Sequence, residues 1–166
     1  GETISAQDFQ ALVEEYTEVV KFSSGLNALS DEQTNQIKDE VWRAYVNNKL
    51  IENEAEKLGL TVSKAELQAI IDAGVHPMLQ QTPFRNPQTG AFDKDMLKKF
   101  LVDYSKMNKA QMPAQYAEYY NSMYNFWSFV EKSLIQARLQ EKYQALITKS
   151  LFSNPVEAED AFNARV

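Results

Sequence analysis

From Pro113 to Leu151 the chain reads as one helix of 39 residues, and that length constrains everything else it can fold into. At ~1.5 Å per residue such a helix is ~58 Å long. A compact chain of 166 residues has a diameter of only roughly 40 Å. The helix therefore either breaks or runs past its own domain and meets another surface. Tyr116, Tyr119, Tyr120, Met123, Trp127, Val130 and Leu134 share one face at ~100° per residue. Beyond Arg138 the apolar face moves: Leu139, Tyr143, Leu146 and Ile147 point about 150° away from the first line, which predicts different neighbours for the two halves. Seven of the fourteen residues from Tyr116 to Phe129 are aromatic. Tyr124, Phe126 and Phe129 lie outside the main line and widen the arc beyond what one contact needs. Two readings fit this surplus, a ring-rich core or a platform for apolar side chains of other polypeptides, which suits Tyr, Trp and Met chemically.

The rest of the chain also reads as helix. Residues 5 to about 23 set Phe9, Leu12, Val13, Tyr16, Val19 and Val20 at helical spacing, and Gly25 is a stop. Ser30-Asp31-Glu32-Gln33 is a capping box that opens a second helix, with Ile37, Val41, Tyr45, Ile51, Ala55 and Leu58 on its apolar line and Gly59 at its end. Ser63 to Glu66 is another box, starting a short helix with Leu67, Ile70 and Ile71 inward and Gly74 at its close. From Val75 to Phe92 the helical period disappears, and three of the five prolines fall there. This stretch is an ordered loop or an exposed arm, with Phe84 and Phe92 bracketing a turn signal and able to pin its flanks. A helix resumes near Asp93 with Leu97, Phe100, Leu101 and Tyr104 inward. The expected fold is therefore all-α: one domain over 1–166, with a helical core over 1–110, a loop at 75–92, a long helix at 113–151 and a lead-out helix at 154–166. Gly1 is not an initiating Met, and the helix started by Asn154-Pro155-Val156-Glu157 is cut off at Val166. The chain thus reads as a segment of a longer protein.

Several function classes drop out. Apolar residues make up 44% and charged residues 24%, so a core is available and disorder is not expected. The net charge is −6 with Lys and Arg scattered, which argues against nucleic acid as a partner. No apolar run is long enough to span a bilayer, so no membrane contact is expected of this segment. The absence of cysteine removes disulfides, thiolate metal sites and cysteine nucleophiles. The single histidine, His76, has no second histidine to make a metal pair and reads as an ordinary loop residue. Glu14, Glu15 and Glu18, and likewise Glu52, Glu54 and Glu56, lie on polar helix faces and read as solvated surface. Five glycines leave little material for phosphate-binding or Ca²⁺ loops. No catalytic residue, cofactor or metal is expected.

Four stretches carry a resemblance: Gly1-Glu2-Thr3-Ile4-Ser5 through Phe9; Val41-Trp42-Arg43-Ala44-Tyr45 through Ser63; Phe84-Arg85-Asn86-Pro87-Gln88-Thr89-Gly90-Ala91-Phe92-Asp93; and Asn154 to Phe162. Together they resemble the N-terminal chaperone region of the SurA/PpiD group of periplasmic peptidyl-prolyl isomerases, especially the membrane-anchored PpiD-like form. The loop motif is the most specific of the four. The resemblance implies a module that holds unfolded envelope proteins in the periplasm, in a parent anchored in the inner membrane of a Gram-negative bacterium and bearing parvulin domains. Isomerase activity is carried over to no residue of this chain, since one loop histidine does not supply a parvulin site. The candidate peptide-binding residues are Trp42, Phe84, Phe92, Tyr116, Tyr119, Tyr120, Met123, Tyr124, Phe126, Trp127 and Phe129. The alternative is a scaffold in which the same surface pairs with a second copy as a homodimer or docks the remainder of the parent.

Overall fold

The computed structural model describes residues 3–152, and the first four of its five α-helices open on a side-chain cap. Helix α1 (Ala6–Ser24) is capped by Ser5, whose hydroxyl accepts the Asp8 amide at 3.0 Å, and it stops where Gly25 turns left-handed. Helix α2 (Asp31–Lys57) carries a complete capping box: the Gln33 amide donates to the Ser30 hydroxyl and the Ser30 amide to the Gln33 side chain. It ends when Gly59 takes φ 71° and the Leu60 amide reaches back to the Ala55 carbonyl at 2.9 Å. Helix α3 (Lys64–Ala73) has the same box from Ser63 and Glu66 and the same left-handed stop at Gly74. Helix α4 (Lys94–Lys106) starts on Asp93, whose carboxylate accepts the Asp95 amide at 2.9 Å. Helix α5 (Ala114–Phe152) is continuous over 39 residues. The architecture is all-α, with no strand among the described residues.

The segment between α3 and α4 is an ordered part of the core and not an exposed arm. Pro77–Gln81 forms a 3₁₀ turn, against the expectation of no helical structure there, and His76 caps it by accepting the Met78 amide on Nδ1. Leu79, Thr82 and Phe84 are all at most 3% exposed. Arg85 and Phe92 close the turn with one isolated antiparallel bridge, and the Phe92 amide donates to Gln80. The lead-out helix expected at 154–166 lies outside the described residues, as do Gly1 and Glu2.

The core divides into two clusters that explain the aromatic surplus of α5. The larger gathers Val19, Ile71, Leu79, Phe84, Leu97, Phe100, Phe126, Trp127, Val130 and Leu134. The smaller joins α1 to α2 through Val13, Ile37 and Val41. Along α1 the contacts with α5 run in opposite senses, from Glu15 on Lys132 through Tyr16 on Phe129 to Phe22 on Phe126 and Tyr119, so the two helices are antiparallel. On another side of α5, Trp127 meets Phe84 edge-on, Tyr120 stacks on Phe100 and Tyr124 stacks on Tyr104. The first half of α5 is thus covered from two directions, and a helix covered twice needs a wider apolar arc than one packed on a single face.

The second half reaches different neighbours through polar side chains, while Ile147 of its expected apolar line is 41% exposed. Gln140 accepts a hydrogen bond from Asn47 of α2, and Lys142 reaches the Thr61 carbonyl at 2.6 Å and the Glu66 carboxylate at 2.9 Å. Arg138 completes this clasp on Glu66 at 3.5 Å. Lys142 hydrogen bonding, reinforced by the Ser63 amide and by Arg138, holds the Glu66 carboxyl below its usual range, against a smaller effect of desolvation. Leu58, expected on the inner line of α2, is instead 47% exposed, because it is the C-cap residue at which the helix turns away.

Candidate functional site

The structure separates the candidate residues into three groups. Phe84, Phe126 and Trp127 are 3%, 5% and 3% exposed and form the core; no ligand can reach them without unfolding it. Phe92, Tyr120, Met123 and Phe129 are half-buried, with one edge at the surface. Trp42, Tyr116, Tyr119 and Tyr124 are exposed. Phe126 shows why spacing could not make this division. It lies off the main apolar line of α5, yet it is buried because Phe22 of α1 lies 5.3 Å away. Tyr116 and Tyr119 lie on the main line, but there the cover from α1 runs out.

The exposed rings do not form one patch. Trp42 meets Phe9 edge-on at 5.8 Å and stacks on Tyr45 at 6.0 Å, near the start of α1. Tyr119 meets Phe22 at 6.1 Å, near the end of α1. Phe9 and Phe22 are ~20 Å apart along that helix at ~1.5 Å per residue. With Trp42, the exposed Val46 and Leu50 make a row at four-residue spacing along α2, a row the sequence reading did not pick out.

Between these surfaces lies a groove of about 460 Å³ where α1, α2 and α5 meet. Its apolar lining comes from Leu12 and Tyr16 of α1, Val41, Ala44 and Tyr45 of α2, and Phe129 of α5. It stays open because Ala44 and Asn48 on α2 line it together with Ser133 and Gln136 on α5, and these side chains are too short or too polar to fill the space. Charged residues ring it. Lys132 pairs with Glu15 at 2.6 Å and passes over the Phe129 ring, while Lys49 pairs with Glu52 at 3.7 Å. The Tyr16 hydroxyl donates to Glu40 at 2.9 Å. Burial, together with that carboxylate, pushes the Tyr16 phenol up to about 12, so it remains a donor at any physiological pH.

Of the candidate residues only Phe129 lines the groove. Tyr16, Val41 and Tyr45 were legible as inward positions of their helices, but nothing in one dimension says that three inward lines leave a gap where they converge. A second, smaller cleft of about 260 Å³ is lined by Glu66, Ile70, His76, Leu134, Arg138 and Glu141, among others. His76 is a turn cap at its edge. No group of three or more potential metal ligands occurs among the described residues, and no helix there is long and apolar enough to cross a membrane.

Comparison with curated proteins and with solved structures finds no match. The family of SurA-like N-terminal domains matches residues 1–101, which take in α1 to α3, the buried turn and most of α4. That match covers well over half of the chain and includes the loop motif, and with the all-helical fold it leads to one conclusion: the chain belongs to the family of SurA-like N-terminal domains, chaperone-type modules of folding factors.

Proposed function

We propose that this chain is the polypeptide-binding module of an envelope folding factor of the peptidyl-prolyl isomerase type, holding unfolded periplasmic proteins on apolar surfaces. Within that reading the parent is a membrane-anchored, PpiD-like protein, and the isomerase chemistry belongs to domains outside this chain. One observation carries the proposal besides the family. Fifteen large apolar residues are exposed among the described residues, against fourteen in the buried core. Among the exposed residues, Trp42, Val46 and Leu50 form a continuous row along α2, and contiguous exposed apolar surface of this kind marks interaction sites. The exposed set lies on α2, α4 and α5 and in the connecting segments, from Leu26 after α1 to Phe152 at the end of α5. Such a distribution suits low-affinity contact with many extended segments better than one tight partner.

The experiment is suppression of aggregation. An unfolded outer-membrane polypeptide is diluted out of denaturant with and without the chain, and light scattering is followed. Stoichiometric suppression, together with a change in the emission of the exposed Trp42, is the expected result. Unchanged scattering and unchanged emission defeat the proposal.

A scaffold reading is favoured by a different observation, the row Trp42, Val46 and Leu50, whose spacing suits packing against another helix. A stable dimer in multi-angle light scattering, abolished by Leu50→Glu, would establish it.

A further inference from the structure

Resting on the reading above, we propose that the groove between α1, α2 and α5 is the site where a client segment anchors, and that it selects a large apolar side chain next to a lysine or arginine. The first half of the argument is shape and chemistry. At about 460 Å³ the groove is in the range of pockets that enclose a small ligand, ~300–1,000 Å³. It admits one or two large side chains of an extended chain and excludes a folded domain. Its floor of Leu12, Val41, Ala44 and Phe129, flanked by the rings of Tyr16 and Tyr45, offers apolar and aromatic contact.

The second half is charge. Of the three carboxylates around the rim, Glu15 is neutralised by Lys132 and Glu52 by Lys49. Glu40 faces the same groove with the neutral Tyr16 phenol as its hydrogen-bond partner and forms no ion pair among the described residues. The phenol occupies one direction of the carboxylate and restrains its swing, so the charge is held at the groove wall before any ligand arrives. An arriving cation meets an oriented, uncompensated carboxylate; an arriving anion meets repulsion. The net charge of −6 acts in the same sense at longer range. Glu40 is thus a specificity residue, and Tyr16 positions it.

The test uses two dye-labelled peptides with the same Phe-Leu-Phe centre, one flanked by lysines and the other by glutamates, titrated with the whole chain and read by fluorescence anisotropy. The lysine peptide is expected to bind more tightly. Glu40→Gln should narrow the ratio of the two dissociation constants by about two- to fivefold, the range of a solvent-accessible ion pair. Molar salt should narrow it too. Ala44→Trp, which fills the groove from the α2 side, should weaken both peptides about tenfold or more. Circular dichroism on both variants checks that the helices are intact. An unchanged ratio in Glu40→Gln overturns the charge selection, and unchanged binding in Ala44→Trp overturns the site. If aggregation of the unfolded polypeptide is still suppressed in those cases, the chaperone reading survives and only the present inference falls. If neither peptide binds and suppression is also absent, both fall.

Discussion

Replacing Phe126 by alanine should cost the fold about 4 kcal/mol, while Tyr116→Ala, ten residues earlier on the same helix, should cost at most about 1 kcal/mol. Both are aromatic residues of the same ring-rich stretch, and apart from the Tyr116 hydroxyl they differ in cover: Phe126 is 5% exposed and Tyr116 54%. An aromatic side chain buries ~150–250 Å² when fully enclosed. Alanine would keep part of that area, so Phe126→Ala returns on the order of 120–150 Å² to water or to a void, ~3–4 kcal/mol at ~25 cal/mol/Å². Losing the ring contact with Phe22 at 5.3 Å adds ~0.5–1.5 kcal/mol, which gives a sum at the upper part of the ~3–5 kcal/mol range for such truncations. For Tyr116 about half the area is already in water, and the higher helix propensity of alanine offsets some of the remainder. The assay is urea unfolding followed by helical ellipticity, with equal m-values required so that midpoints compare directly. In thermal melts the pair should separate by roughly 6–12 °C, given ~2–4 °C per kcal/mol for a chain of this size. Equal costs for the two variants, or a cost below about 1.5 kcal/mol for Phe126→Ala, would refute the division of the aromatic stretch into core and surface.

Three further outcomes follow. In Trp127→Phe the remaining Trp42 should be readily quenched by acrylamide, whereas in Trp42→Phe the remaining Trp127 should emit at shorter wavelength and resist quenching, because the two are 49% and 3% exposed. Ser30→Ala removes the hydroxyl half of the α2 capping box and should lower stability by about 1 kcal/mol, measured by the same urea titration. Glu66 is held below its ordinary value of 4.5 by Lys142 first of all. A lowered folded-state value means that its contribution is fully present above that ordinary value and is lost as acid protonates the carboxylate in the folded protein. Stability measured against pH should therefore fall on acidification below about 4.5 with a component that Glu66→Gln removes; an unaltered slope in the variant would show that the clasp with Arg138 and Lys142 is not coupled to folding.

Much of the fold is legible in the sequence because its signals are local. Ser5, Ser30, Ser63 and Asp93 each cap the helix that follows by accepting an amide two or three residues on, and Gly25, Gly59 and Gly74 close helices with positive φ. Those bonds close within a turn of chain and need no knowledge of what lies across the molecule. The inward line of α4, Leu97 to Tyr104, follows from periodicity in the same way.

The candidate site is less legible, for the opposite reason. Whether Phe126 or Tyr119 faces a ligand depends on where Phe22, about a hundred positions away, ends its cover of α5. Whether Tyr16, Tyr45 and Phe129 line a groove depends on three helices converging with Ala44 and Ser133 between them. Sequence alone determined that this chain is helical, where most helices begin and end, and that one of them is too long and too aromatic for a single contact. Only the tertiary structure decided which rings are core and where space remains, because burial is a property of the distance between helices, and that distance is set by side chains far apart in the chain.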